Sequence, residues 1–272
     1  MTTLCNDGNA DSKLAVYLLS APVVEGMHTQ PDEALLGRAL ENIGKSDAPL
    51  LFLAAMHASA DCSDGLARAK RLTDADPENG VAWLMRASMA AMCEEDADQG
   101  ETLSLLKRAA GSHRFHDYGF DIMKRSAARF VRVPVPADVV ASQNAESADQ
   151  VRFEVLQQSV MVAVAFMSMD SLDFLNHACS DRTPSARNDV REACEGVKRG
   201  LSRFGDSAVL LTFDPERQRA ATKDGEAVLR DPRVDVVAKA AMRAMAQSHS
   251  ENEFYRRTRA LIGEPKAPAK TH

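Results

Sequence analysis

The sequence predicts an all-α protein, an irregular array of antiparallel helix pairs. Three observations carry this reading. Alanine fills 43 of the 272 positions against 3 isoleucines, a balance that favours helices packed closely through small side chains over strands. Turn-formers are few, with 14 glycines and 11 prolines, fewer than average usage supplies. Segments that open on a cap, carry an apolar stripe and close on glycine or proline follow one another with short gaps, and no sustained period-two alternation interrupts them.

Taken in order, Pro31-Asp32 opens a segment with Leu36, Ala39, Leu40 and Ile43 at helical spacing, closed by Gly44. Residues 50–58 (LLFLAAMHA) are apolar on every side, which predicts a buried helix. Ser63 or Asp64 caps a helix that ends at Asp76-Pro77, and Asn79 caps the next. There Trp83 shares a face with Ala87 and Ala91, so the indole is expected between helices. Asp98 with Glu101 forms a capping-box pattern before Leu103, Leu106 and Ala110, and Gly111 is the stop. A further helix should run from Asp117 to Phe130. Residues 10–130 thus read as a helical-repeat region, with 31–130 in consecutive antiparallel pairs.

At 131–140 (VRVPVPADVV) the character changes. Pro134 and Pro136 among valines disfavour helix, and residues 131–148 read as an extended linker or crossing segment. Ser147 with Gln150, another capping box, opens a C-terminal helical region over 149–263, expected to pack on the first. It includes the apolar run 160–167, a helix through Val190, Val197 and Leu201 stopped by Gly205, and a helix over 207–221. Its cleanest stripe lies over 234–246, with Val234, Val237, Ala238, Ala241 and Met245 on one face. The tail 264–272 (EPKAPAKTH) reads as disordered.

The net charge of −6 is unevenly spread: residues 1–149 balance to −8 and residues 150–272 to +2. An acidic chain without a basic stripe is not expected to bind nucleic acid. The longest uncharged apolar run, 155–169, spans 15 residues and includes two glutamines. A transmembrane helix needs roughly 18–20, so none is expected. Asp7 and Asp11 sit where a leader peptide carries basic residues. The protein is therefore cytoplasmic, or periplasmic or otherwise exported with its leader removed.

The cysteines bear on that choice. None of Cys5, Cys62, Cys93, Cys179 and Cys194 lies two or three residues from another, which excludes zinc-ribbon and thioredoxin-type readings. Helices over 64–75 and 80–93, antiparallel about the 76–79 turn, would bring Cys62 beside Cys93 at the open end. For Cys179 and Cys194 the outcome depends on where the second helix begins. A start at Asn188 lets them face each other, and a start at Thr183-Pro184 does not. Two such bridges with Cys5 left over suit an exported protein, and the alternative is five reduced thiols acting as small apolar residues.

The run Asp76-Pro77-Glu78-Asn79-Gly80-Val81-Ala82-Trp83 resembles the junction between two tetratricopeptide repeats. In that family a proline closes one helix pair, an aromatic opens the next six residues on, and a small residue, here Ala87, follows four later. Leu103 falls where the family places a large apolar residue. Leu72 and Ala90 depart from the pattern, and no second copy lies 34 residues away. The resemblance covers residues 63–110 and implies helix pairs in series. The whole chain also resembles alanine-rich bacterial proteins, often exported, that carry such degenerate pairs. That likeness implies an architecture and no activity.

Chemistry-bearing patterns are few. Ser104-Leu105-Leu106-Lys107 matches Ser-x-x-Lys at the frequency chance supplies, and no Gly-x-Ser-x-Gly, phosphate loop or His-Glu-x-x-His occurs. Neither a nucleotide nor another cofactor is therefore expected, nor a catalytic metal. The most unusual run is His113-Arg114-Phe115-His116-Asp117-Tyr118. His113 and His116, three apart, could with Asp117 contribute metal ligands from one turn, but no Cys or Glu nearby completes a set. Phe115, Tyr118 and Phe120 offer another reading, a loop leading into a helix and anchored by its aromatics. Met85, Met89 and Met92, with Met161, Met167 and Met169, could line an adaptable groove or fill core. His57 and His177 lie in apolar helices as core or boundary residues, and the acidic run 94–98 complements the next helix dipole.

Two functions follow from this. The first is a non-enzymatic helical scaffold that binds a protein or peptide partner, preferred because helix pairs stand in series and catalytic motifs are missing. The second is an enzyme whose site is assembled from distant residues near His113, His116, Asp117 and Tyr118.

Overall fold

The computed structural model describes residues 23–24, 27–28, 47–57, 62–93, 99–155, 174–175, 179, 188–207, 210 and 214–263. Within these the chain is all-α. The exceptions are a two-residue antiparallel ladder, β1 (Val23–Val24) with β2 (Met27–His28), and two isolated bridges, Asn79 to Arg114 and Phe115 to Gly205. The expected segment 31–44, the Asp98 cap with its acidic run, the apolar run 160–167 with its methionines, His177, Cys5 and the tail lie outside the described residues.

The first helices are α1 (Ala48–His57), α2 (Cys62–Ala75), α3 (Gly80–Cys93) and α4 (Gln99–Ala110), each packed on the one before it. Leu50, Leu51, Phe52, Leu53 and Ala55 of α1 are fully enclosed, as a segment with no polar face must be. Asn79 opens α3 as expected, its Oδ1 accepting from Val81 N at 3.1 Å. Trp83 is buried, its Nε1 donating to Pro77 O at 2.8 Å and the Arg108 guanidinium lying 4.9 Å over its ring. Of the α3 methionines, Met85 and Met89 fill core and Met92 is exposed.

The serial pairing runs through α4 and then breaks. Helix α5 (Gly119–Phe130) packs on α1 and on α10 (Val234–Gln247), far along the chain, where the sequence predicted consecutive pairs to 130. Helix α4 instead packs on α8 (Asn188–Phe204). Gly196 permits that approach, since a Cβ there would lie 2.7 Å from the Ala110 methyl. The 131–140 segment is not extended throughout: Pro136 is, and α6 (Ala137–Ser142) follows at once. Proline ahead of a helix costs no hydrogen bond that the first turn would make, so Pro136, at ψ 147°, leads into the helix.

In α7 (Ala148–Val155), Gln150 N donates to Ser147 Oγ at 3.2 Å and Glu146 N donates to Gln150 Oε1 at 2.8 Å, the expected capping box shifted by one donor. The helix predicted over 207–221 is α9 (Pro215–Leu229). Asp214 accepts from Arg217 N, and Pro215 fits only a first turn. The pair α10 and α11 (Glu251–Ile262) is antiparallel, with Arg233 beside α10 donating to the carbonyls of Ile262 and Gly263. The α10 stripe is buried at Val237, Ala238, Ala241 and Met245, but Val234, one turn before it, is exposed.

Candidate functional site

The His113–Tyr118 run connects α4 to α5 and threads between α3 and α8. Phe115 explains the route. Its ring is fully enclosed between the backbones of Gly80 and Gly200, and a Cβ on either glycine would overlap it. The strand-like bridges on both sides continue this contact: Gly80 N donates to Arg114 O at 2.8 Å.

Asn79 is the second hinge of the joint. Fully buried, it accepts from His116 N at 3.0 Å and donates through Nδ2 to His116 O at 2.9 Å, across 37 residues of chain. Its amide thus completes a two-way, backbone-like pairing. Asp76, at the same turn, receives Arg114 Nη1 at 2.9 Å and the Tyr118 hydroxyl at 2.8 Å.

His116 is buried with both ring nitrogens against carboxylates, Nδ1 on Asp206 and Nε2 on Asp121 at 2.9 Å. Burial alone would depress its pKa, but the hydrogen bonds from Asp121 and Asp206 and their charges push it up to about 10. The ring is therefore an imidazolium at neutral pH. Asp121 is held below the usual carboxylate range: burial opposes this, and the hydrogen bond and charge of His116 prevail, helped by Arg125 and Lys124. Asp117 is buried, and desolvation with the charge of Asp206 raises its pKa against the hydrogen bond of Ser207. It accepts from Gly119 N at 3.0 Å and so supports the start of α5.

Tyr118 takes φ 60°, a left-handed conformation uncommon for a bulky residue. It turns the chain into α5 and places the ring 5.1 Å from Phe52 and 5.3 Å from His116. Burial and the neighbouring Asp76 charge raise its phenol pKa well above the ordinary value.

His113 has different neighbours from His116: it is exposed, its ring set edge-on 5.8 Å from Phe204. Among the described residues no three His, Cys, Asp or Glu side chains converge as a metal site. Both His116 nitrogens being bound, that ring as placed offers no lone pair to a substrate proton or a cation. Asp206 and Asp121 were not foreseen. They lie 90 and 5 residues from His116, and only Asp121, one turn into the expected helix, had a local signal.

The cysteines pair as the helix geometry suggested. Cys62 and Cys93 are at disulfide distance, Cα to Cα 5.2 Å, at the open end of α2–α3. Cys179 and Cys194 are likewise paired at 5.6 Å, and the segment at Thr183-Pro184, on which the expectation turned, lies outside the described residues. No described helix is long and apolar enough to cross a membrane. Comparison with family models, curated proteins and solved structures finds no match to this chain.

Proposed function

We propose that the protein is a non-enzymatic, tetratricopeptide-like helical scaffold that binds a protein or peptide partner in an oxidising, exported compartment. The observation that carries this reading is the use made of the chemistry-bearing run. Phe115, both His116 nitrogens and the Tyr118 hydroxyl are all committed to internal partners, which leaves recognition to the helix surfaces. Serial packing from α1 to α4 supports the repeat-like element, and the two cysteine pairs support the compartment. The test is affinity capture from a native, non-reducing extract, followed by titration of each purified candidate. Saturable binding at micromolar Kd or tighter that is indifferent to His113→Ala is expected; captured proteins that never saturate contradict it.

A second reading, an enzyme built around His113, His116, Asp117 and Tyr118, has one observation in its favour. The left-handed Tyr118 is the kind of strained residue that gathers at active sites. An activity from a hydrolase and transferase substrate panel that His116→Asn abolishes, with the helical signal intact, would establish that reading over the scaffold.

A further inference from the structure

We propose that Cys62–Cys93 is a thiol–disulfide exchange site, opened by a dithiol while the chain stays folded, and that Cys179–Cys194 is the slower-exchanging, structural bridge. This goes beyond the scaffold reading and does not depend on a partner.

The two bridges differ in where they sit. Cys62 is the first residue of α2 and is exposed; Cys93 is the last of α3 and half-buried, next to the exposed Met92. Neither belongs to the core. Cys194 lies inside α8, 2% exposed and within the core, and Cys179, half-buried, packs against that core. Exchange requires a thiolate to reach a sulfur, so access sets its rate. The outer bridge is open to attack at the exposed Cys62, whereas the inner one pairs a buried sulfur with a half-buried one and has no exposed member.

Opening the outer bridge leaves the helix pair held. Ala69, Leu72 and Thr73 of α2 stay buried, and the opposite end remains locked by Asn79 and by Gly80 N on Arg114 O.

The step balances as ordinary exchange. A thiolate of the dithiol attacks Cys62 Sγ, the Cys62–Cys93 bond breaks, and Cys93 leaves as a thiolate that takes a proton from water. The second thiol of the reductant, deprotonated, attacks the mixed disulfide and closes its own disulfide, and Cys62 leaves and is protonated. Two electrons and two protons pass to the protein.

The test uses the oxidised full-length chain without denaturant. Dithiothreitol is added, samples are alkylated over time, and peptides are mapped while circular dichroism is followed. Cys62 and Cys93 should be alkylated at least about tenfold faster than Cys179 and Cys194, with the helical signal unchanged. Equal rates for the two bridges, helix loss on opening the outer one, or four reduced thiols in the protein as purified without reductant would each overturn the proposal.

Discussion

At one end of the α2–α3 pair a buried network of hydrogen bonds holds the turn; at the other a disulfide between exposed Cys62 and half-buried Cys93 holds the helix ends. The turn end draws on groups far away in sequence: His116 lies 37 residues from Asn79, and Tyr118 lies 42 from Asp76. The open end uses one covalent bond across 31 residues. In this way a chain rich in small side chains gains a defined geometry. Alanine faces let helices approach, but they carry little shape of their own to fix register. A large ring between two glycines and a polar network with partners on several elements supply it. The bridge confines the open end without adding core.

The largest effect should follow from emptying the turn end. Phe115→Ala removes a fully enclosed ring and should cost about 3–5 kcal/mol in denaturant unfolding. Asn79→Ala should come next, at about 3 kcal/mol, because it strands the amide and carbonyl of His116 in the interior. A third test is pH. The His116 pKa is raised from 6.5 to about 10, so its stabilisation is complete below pH 6.5 and is lost as pH rises through about 10. The loss over that window should be on the order of 2 kcal/mol, since Asp121 and Asp206 remain partly solvated. His116→Gln should flatten that limb in unfolding curves taken between pH 6 and 10. Smallest of all, Arg108→Ala should cost about 0.5–1 kcal/mol by removing the cation over Trp83, with a shift in the tryptophan emission.

What was legible in the sequence was local. Asn79, Ser147 with Gln150, and the apolar α1 segment announce themselves within a turn or two, because caps and stripes act over three or four residues. The Cys62–Cys93 pairing followed from two helix lengths and a turn. The joint itself was half legible: three aromatics in six residues pointed to anchoring, but nothing near Phe115 names Gly200. Nor does anything near His116 name Asp206, 90 residues away. The exit of α5 from the series was hidden for the same reason, since its partner α10 is chosen by tertiary packing and not by its own stripe. The helix expected over 207–221 would hold Pro215 in its interior, where proline does not belong; the helix starts at that residue.

The buried contacts of Phe115, His116 and Tyr118 make the His113–Tyr118 run an internal joint. Native-state hydrogen exchange tests it most directly, read at Gly80 N, which donates to Arg114 O, and at His116 N, which donates to Asn79. A joint predicts that both amides exchange only with global unfolding, at the protection of the α3 core and with the same denaturant dependence. Exchange of the His116 amide through local opening, orders of magnitude faster than the α3 core and insensitive to denaturant, would contradict it.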